Sequence, residues 1–315
     1  MARIEADASI DLDDLDLHRL RVRSEKSSFL DDISVRLNGE RYQDVYEVLS
    51  NDGSISSDFG GKRLVFDDEQ QRLVDGSVTG IVEFIYQGSN QWKLWWSLQG
   101  VELPAVKLWS ASLTVSAKDD AAIVRAALSG DDSFRLSDQS DRARGFDGND
   151  TLEGRGGDDS LFGGAGQDSI SGGAGHDVLN GGDGGDVLRA GRGADSLAGG
   201  EGRDVLIGGM DDNPDVFLFR SVRDSRIGAA DAVENFTSAI ESGDHIDLRS
   251  IDSNITHQGN DAFDWAGKAA KGHAVWWTAA GTDILLKADV DGDAAADLVI
   301  RLRDLDGLSR NDVWL

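Results

Sequence analysis

Between Gly145 and Ile207 the sequence divides without a gap into seven nine-residue units: GFDGNDTLE, GRGGDDSLF, GGAGQDSIS, GGAGHDVLN, GGDGGDVLR, AGRGADSLA and GGEGRDVLI. The fourth residue of every unit is Gly, the sixth is Asp, and the eighth is Leu or Ile. A periodic Gly supplies positive φ in a recurring turn, and each three-residue tail reads as a very short strand with its middle residue turned inward. The units therefore predict a coil of turn, strand, turn, strand. Its thin apolar core is a stack of Leu152, Leu161, Ile170, Leu179, Leu188, Leu197 and Leu206. One core residue in nine does not hold such a coil together.

The sixth positions carry the rest of the argument. Asp150, Asp159, Asp168, Asp177, Asp186, Asp195 and Asp204 recur on turns that a coil stacks above one another. Stacked carboxylates repel unless a cation lies between them. Carboxylates together with Gly-turn carbonyls are the oxygen donors that Ca²⁺ accepts in flexible geometry. The chain has no Cys, and the units hold a single His, His176, which disfavours zinc and copper. The alternative is that each Asp closes a local Asx-turn with its own backbone. Seven in register with Gly favour calcium.

With these residues in view, the chain resembles the RTX (hemolysin-type calcium-binding repeat) family, whose nonapeptide is GGxGxDxUx. The resemblance implies an all-β fold built on a calcium-binding parallel β-roll, with two nonapeptides per coil and each ion between turns eighteen residues apart. It pairs Asp150 with Asp168, Asp168 with Asp186 and Asp186 with Asp204 on one edge, and Asp159 with Asp177 and Asp177 with Asp195 on the other, giving about five interior Ca²⁺ sites. The earlier turn of each pair would add second- and fourth-position carbonyls, such as Gly164 and Gly166, or Gly173 and Gly175. The later turn would add first- and third-position carbonyls, such as Gly181 and Asp183, or Ala190 and Arg192. Gly148, Gly157, Gly182 and Gly184 occupy equivalent positions. Phe146, Arg155 and Ala190 depart from the Gly pattern and weaken the turn preference without removing carbonyl donors.

Composition agrees. The chain of 315 residues carries a formal charge of −27, and the units hold 20 of its 39 Gly, ten Asp and no Lys. A polyanion of this kind repels nucleic acid, and a segment so poor in apolar residues stays disordered until its counter-ion binds. The beginning of the sequence lacks the basic and apolar regions of a cleaved signal, and no apolar stretch is long enough for a transmembrane segment.

Upstream of the units, residues 1–116 read as a β-rich module, a small antiparallel sandwich or open roll. Its alternating segments are ISVRL, VYEVL, RLVF, TGIVEFIY, QWKLWWSL, AVKLW and SLTVS. Trp95 and Trp109 are candidates for a sugar-stacking face, the alternative being packing under a loop or neighbouring module. Residues 117–130 read as a capping helix that follows Ser116 and stops at Gly130. The nine-residue frame also runs back through Asp141 and Asp132, with Ala143 and Phe134 at core positions. The roll is thus expected over 131–219.

Its last unit carries an insertion before Asp215, itself a candidate metal ligand, and Phe217 and Phe219 are expected to close the core. Residues 220–315 resemble the C-terminal region of serralysin-type proteases and other type I secreted proteins, which implies a β cap. Within it Asp289, Asp291, Asp293 and Asp297 follow a DxDxDxxxD spacing able to converge on one Ca²⁺, although Ile300 stands where an EF-hand places its bidentate Glu. An acidic hairpin between two strands is the alternative. By the same resemblance Asp312, Val313, Trp314 and Leu315 imply a C-terminal secretion signal read by the type I secretion machinery, hence an extracellular or cell-surface protein.

No His precedes a Glu as HExxH requires, and no GxSxG is present, so no catalytic site is expected. Two further readings concern the N-terminal module: an adhesion or glycan-binding domain facing an extracellular polysaccharide or cell surface, or an accessory to a polysaccharide-modifying enzyme.

Overall fold

The computed structural model describes residues 128–238, 243–255 and 260–315. Upstream it describes Arg125 and the backbone of the strands 3–6, 28–30, 35–37, 40–42, 44–49, 55–67, 72–86 and 92–104. The chain divides into two compact units, Met1–Phe146 and Asp147–Leu315.

In the first unit lie β1 (Arg3–Ala6), β2 (Ser28–Leu30), β3 (Val35–Leu37), β4 (Glu40–Tyr42), β5 (Asp44–Leu49), β6 (Ile55–Asp67), β7 (Arg72–Tyr86), β8 (Trp92–Pro104) and β9 (Ser133–Arg135). The alternating segments expected from the sequence fall in β3 and β5–β8, apart from AVKLW and SLTVS, which lie outside the described residues. Strands β2, β5, β6, β7, β8 and β1 pair antiparallel in that order, β9 runs parallel to β1, and β3 and β4 form a separate hairpin. The predicted helix over 117–130 lies almost wholly outside the described residues. Phe134 and Ala143, which continue the nine-residue frame upstream, are both buried. Strand β10 (Arg142–Asp147) ends this unit.

The second unit is a parallel roll. Its first ladder is β11 (Thr151–Gly156), β13 (Ser169–Ala174), β15 (Val187–Arg192), β17 (Val205–Ile207), β19 (Asp231–Glu234) and β24 (Leu298–Leu302), paired in that order. The second ladder is β12 (Ser160–Ala165), β14 (Val178–Gly184), β16 (Ser196–Gly202), β18 (Val216–Leu218), β20 (His245–Asp247) and β25 (Val313–Trp314). Register makes the core explicit. Leu152, Ile170, Leu188, Leu206, Val233 and Leu302 stack down one ladder, and Leu161, Leu179, Leu197, Phe217, Ile246 and Val313 down the other. Every one of these residues is buried. At about 1.5–3 kcal/mol per buried side chain, these two columns are the main apolar contribution to the roll.

The expectation that Phe217 and Phe219 close the core is corrected here. Ile246 and Val313 lie beyond Phe217 on its ladder, and Val233 and Leu302 lie beyond Leu206 on the other. Phe217 instead packs its ring 6.0 Å from that of Phe236, inside a core that continues. The first ladder then leaves the roll through an antiparallel sheet, in which β24 pairs with β23 (Asp283–Ala288) and β23 with β22 (Ala274–Ala280). β21 (Asp264–Gly267) lies at the edge.

Candidate metal centres in the roll

The turns are shaped by two left-handed residues in each of the first six units and one, Gly200, in the seventh. Second positions Gly164, Gly173, Gly182, Gly191 and Gly200 have φ between 102° and 128°, and fourth positions Gly148, Gly157, Gly166, Gly175, Gly184 and Gly193 between 98° and 149°. Phe146 and Arg155 hold the second-position conformation at φ 77° and 79° without being Gly. Stacking removes any remaining freedom at the fourth position. A Cβ on Gly184 would lie 1.6 Å from the Gly166 carbonyl oxygen, and one on Gly166 2.0 Å from that of Gly148. Fourth-position carbonyls therefore face the turn above, and only Gly fits between them.

The Asp residues are joined at eighteen-residue steps. Each backbone N–H donates to Oδ1 of the Asp one coil later: Asp150 to Asp168, Asp168 to Asp186 and Asp186 to Asp204, all at 2.8 Å. On the other edge Asp159 donates to Asp177 at 2.8 Å and Asp177 to Asp195 at 2.7 Å. These are the pairs that the resemblance implied. The ladder also runs on where the repeat has ended. Asp195 donates to Asp215 at 3.0 Å, Asp204 to Asp231 at 2.8 Å, and Asp215 to Asp244 at 2.8 Å. Asp231 and Asp244 escaped the sequence reading because their ladder partners are 27 and 29 residues away, and no fixed period marks them.

The second carboxylate oxygen tests whether a metal fits. Oδ2 of Asp168, Asp177, Asp186, Asp195, Asp204 and Asp231 is buried and has no hydrogen-bond partner. A buried carboxylate oxygen left unsatisfied costs at least ~1–3 kcal/mol, so a row of them favours a bound cation or, without one, protonation. First-position Gly163, Gly172, Gly181 and Gly199 keep the space beside Oδ2 of Asp168, Asp177, Asp186 and Asp204 open. A Cβ on Gly163 would lie 2.1 Å from Asp168 Oδ2 and 2.6 Å from the Gly181 carbonyl. One on Gly172 would lie 2.2 Å from Asp177 Oδ2 and 2.8 Å from the Ala190 carbonyl. Each space is thus lined by one carboxylate oxygen and a carbonyl from the next coil, an all-oxygen set suited to Ca²⁺. Third-position carbonyls are partly engaged: those of Asp183 and Arg192 accept N–H from Gly166 and Gly175, which leaves each a second lone pair.

Asp215 and Asp244 end the second edge differently. Asp215 Oδ2 accepts the Gly209 N–H at 2.9 Å, and Asp244 Oδ2 accepts the Thr237 N–H at 2.7 Å, so both carboxylates are satisfied by backbone. Exposed His176 takes no part in the ladder, its Nδ1 accepting the Ala194 N–H at 3.0 Å.

Electrostatics follow from burial. Asp186 and Asp195 are pushed up to about 7, Asp204 and Asp215 to about 6, and Asp231 to about 8. Desolvation is the leading cause. The backbone N–H bond along the ladder opposes it, and neighbouring carboxylates reinforce it in each case. Asp168, Asp177 and Asp244 are raised for the same first reason.

The other sequence candidates are placed apart from the ladder. Asp289, Asp291 and Asp297 come together at the β23–β24 turn, whereas Asp293 turns its Oδ1 to the Ala295 N–H at 2.7 Å. Asp312 and Val313 are buried and Trp314 is half-buried. Trp109 and the side chain of Trp95 lie outside the described residues.

The family-model comparison agrees with this geometry. Residues 127–161, 144–179 and 180–213 match the family model of the RTX calcium-binding nonapeptide repeat (4 copies). No curated protein matches the chain. Among solved structures, the chain is similar to the AlgE6R3 subunit of the Azotobacter vinelandii mannuronan C5-epimerase, with 24% identity and a TM-score of 0.27 over 59% of this chain and 78% of that one. It is also similar to the extracellular lipase LipA of Serratia marcescens, with 18% identity and a TM-score of 0.21 over 59% of this chain and 40% of the lipase. The repeat segment is a parallel β-roll that matches the RTX calcium-binding nonapeptide repeat.

Proposed function

We propose that this is a secreted calcium-binding protein whose roll folds when it meets extracellular calcium, after export by a type I system. The observation that carries this reading is the row of buried, partnerless Oδ2 atoms. Without a cation the folded ladder must either bury charge or take up protons, and both oppose folding at neutral pH. At cytosolic calcium levels the repeats remain an expanded polyanion. At the ~10⁻⁴–10⁻³ M typical of extracellular modules, binding and folding become one event. Circular dichroism of the full chain at pH 7.5 checks this. A weak β signal in excess chelator that rises cooperatively with millimolar calcium is expected, and an identical β signal in both would sink the reading.

Export is assigned to Asp312–Leu315. In the folded chain Asp312 accepts the Ser309 N–H at 2.6 Å and the Ser238 hydroxyl at 2.9 Å, while Val313 ends a core column. An exporter therefore reads this segment before the roll folds, which fits folding outside the cell. Deleting residues 312–315 is expected to retain the protein inside producing cells. Undiminished secretion of the truncated chain would remove the assignment. Among the described residues no helix is long and apolar enough to cross a membrane.

A further inference from the structure

The roll accounts for every partnerless ladder oxygen named above, but one more lies outside it. We infer that the turn joining β23 to β24 holds a calcium ion of its own, bound by Asp289, Asp291 and Asp297, and that this ion fastens the C-terminal sheet independently of the roll sites. These three residues each bring a carboxylate oxygen to within 4.8 Å of the other two. Proximity of acidic groups is common on surfaces, but Asp289 is not a surface residue. It is 0% exposed, its Oδ1 is filled by N–H donors from Gly292 at 2.7 Å and His273 at 2.9 Å, and its Oδ2 is buried with no partner. No ion pair among the described residues reaches the triad.

The turn is built to hold this arrangement. Gly292 and Ala294 both adopt left-handed backbone, φ 88° and 64°, which tightens the loop between the first and last ligands. Asp297 Oδ2 accepts the Val290 N–H at 2.8 Å, leaving its other oxygen for the ion, and Asp291 Oδ1 accepts the Asp293 N–H at 3.2 Å. Asp293 lies outside the converging group, its Oδ1 turned to the Ala295 N–H at 2.7 Å. Carboxylates alone, with no Cys and no His nitrogen in the triad, select a hard divalent cation, and the irregular loop suits Ca²⁺ over the octahedral demands of Mg²⁺. Ile300, buried in β24, replaces the bidentate Glu of an EF-hand, so affinity belongs to the ~10⁻⁴–10⁻³ M class.

Asp289 also ties distant segments together. Its N–H donates to the Ala274 carbonyl at 3.1 Å, its Oδ1 takes the His273 N–H, and His273 Nδ1 lies 2.8 Å from the Ser253 carbonyl. An ion on Asp289 thereby fixes the start of β22 against the turn, next to β24, which supplies Leu302 to the last step of the first core column.

The test counts bound ions in the full-length chain by equilibrium dialysis at 10 mM free calcium, with Asp291→Asn and Asp293→Asn as variants. Asp291 is exposed and Asn keeps the acceptor oxygen for the Asp293 N–H, so the fold survives the change. The expected result is one ion fewer in D291N, the wild-type count in D293N, and an unchanged β signal at saturating calcium in both. Wild-type stoichiometry in D291N, or an equal loss in D293N, overturns the assignment. Asp297→Asn supplies a second variant with the same expectation. A wild-type chain whose only ion disappears in D291N would uphold this site and remove the roll reading, so the two fail separately.

Discussion

Replacing Asp186 by Asn is expected to shift the stability of the roll in opposite directions with and without calcium. Asn retains an Oδ1 acceptor for the Asp168 N–H and its own N–H for Asp204, so both ladder bonds persist. What changes is the second oxygen, which borders the space where a Cβ on Gly181 would lie 2.2 Å from it and 2.6 Å from the Gly199 carbonyl. Without calcium that oxygen is a burial penalty, and a neutral amide is expected to stabilise the folded chain by about 1–3 kcal/mol at pH 8. With calcium, Asp186 belongs to two successive pairs, with Asp168 and with Asp204, and the variant loses a charged ligand from both. The calcium midpoint is expected to rise at least ~10-fold, or ~1.4 kcal/mol. Urea unfolding of both proteins in chelator and in millimolar calcium measures the crossing. Equal destabilisation in the two conditions would mean that Asp186 is only a hydrogen-bonding residue. Asp186→Ala serves as the reference. It orphans the Asp168 N–H and is expected to destabilise in both, by about 1–3 kcal/mol before any ion is counted.

The metal-free chain should gain β structure as the medium is acidified, the reverse of ordinary acid denaturation. The folded-state values of Asp186, Asp195, Asp204, Asp215 and Asp231 all lie above the ordinary 3.8, at about 6 to 8. A group raised on folding binds more protons in the folded state, so its stabilisation is full below the unfolded value and is lost as pH rises through the folded one. For this ladder the window runs from about pH 4 to about pH 8. Calcium reverses the trend, because ions need the deprotonated carboxylates and protons compete for the same oxygens. Circular dichroism against pH is expected to show β signal rising from pH 8 to pH 5 in chelator, with calcium affinity falling over the same interval. A chelator profile that is flat with pH would show that the ladder is not desolvated.

The two effects share one origin, a row of carboxylates that the fold buries before anything neutralises it. That row was legible because a nine-residue period fixes the same residue at the same point of every turn. Leu152 stacks on Ile170, and Asp150 bonds to Asp168, for a reason already present in the spacing. The invariant Gly at fourth positions is likewise explained by one geometry repeated, since each must pass the carbonyl of the turn below. The loop of Asp289 was legible as spacing only. Which carboxylates converge depends on the backbone of a loop with left-handed Gly292 and Ala294, which gathers Asp289, Asp291 and Asp297 and leaves Asp293 outside the set.

By itself, then, the sequence determined the roll, its core columns across the seven units and the Asp pairs at eighteen-residue steps, because period and register are the same quantity in a parallel coil. The tertiary structure decided where the coil ends. Val233, Leu302, Ile246 and Val313 extend the core from segments separated by turns of unequal length, and Asp231 and Asp244 extend the ladder at steps of 27 and 29 residues. These residues share a place in space without sharing a place in any repeat. Only the pairing of the strands that carry them shows that the stack continues past Phe217.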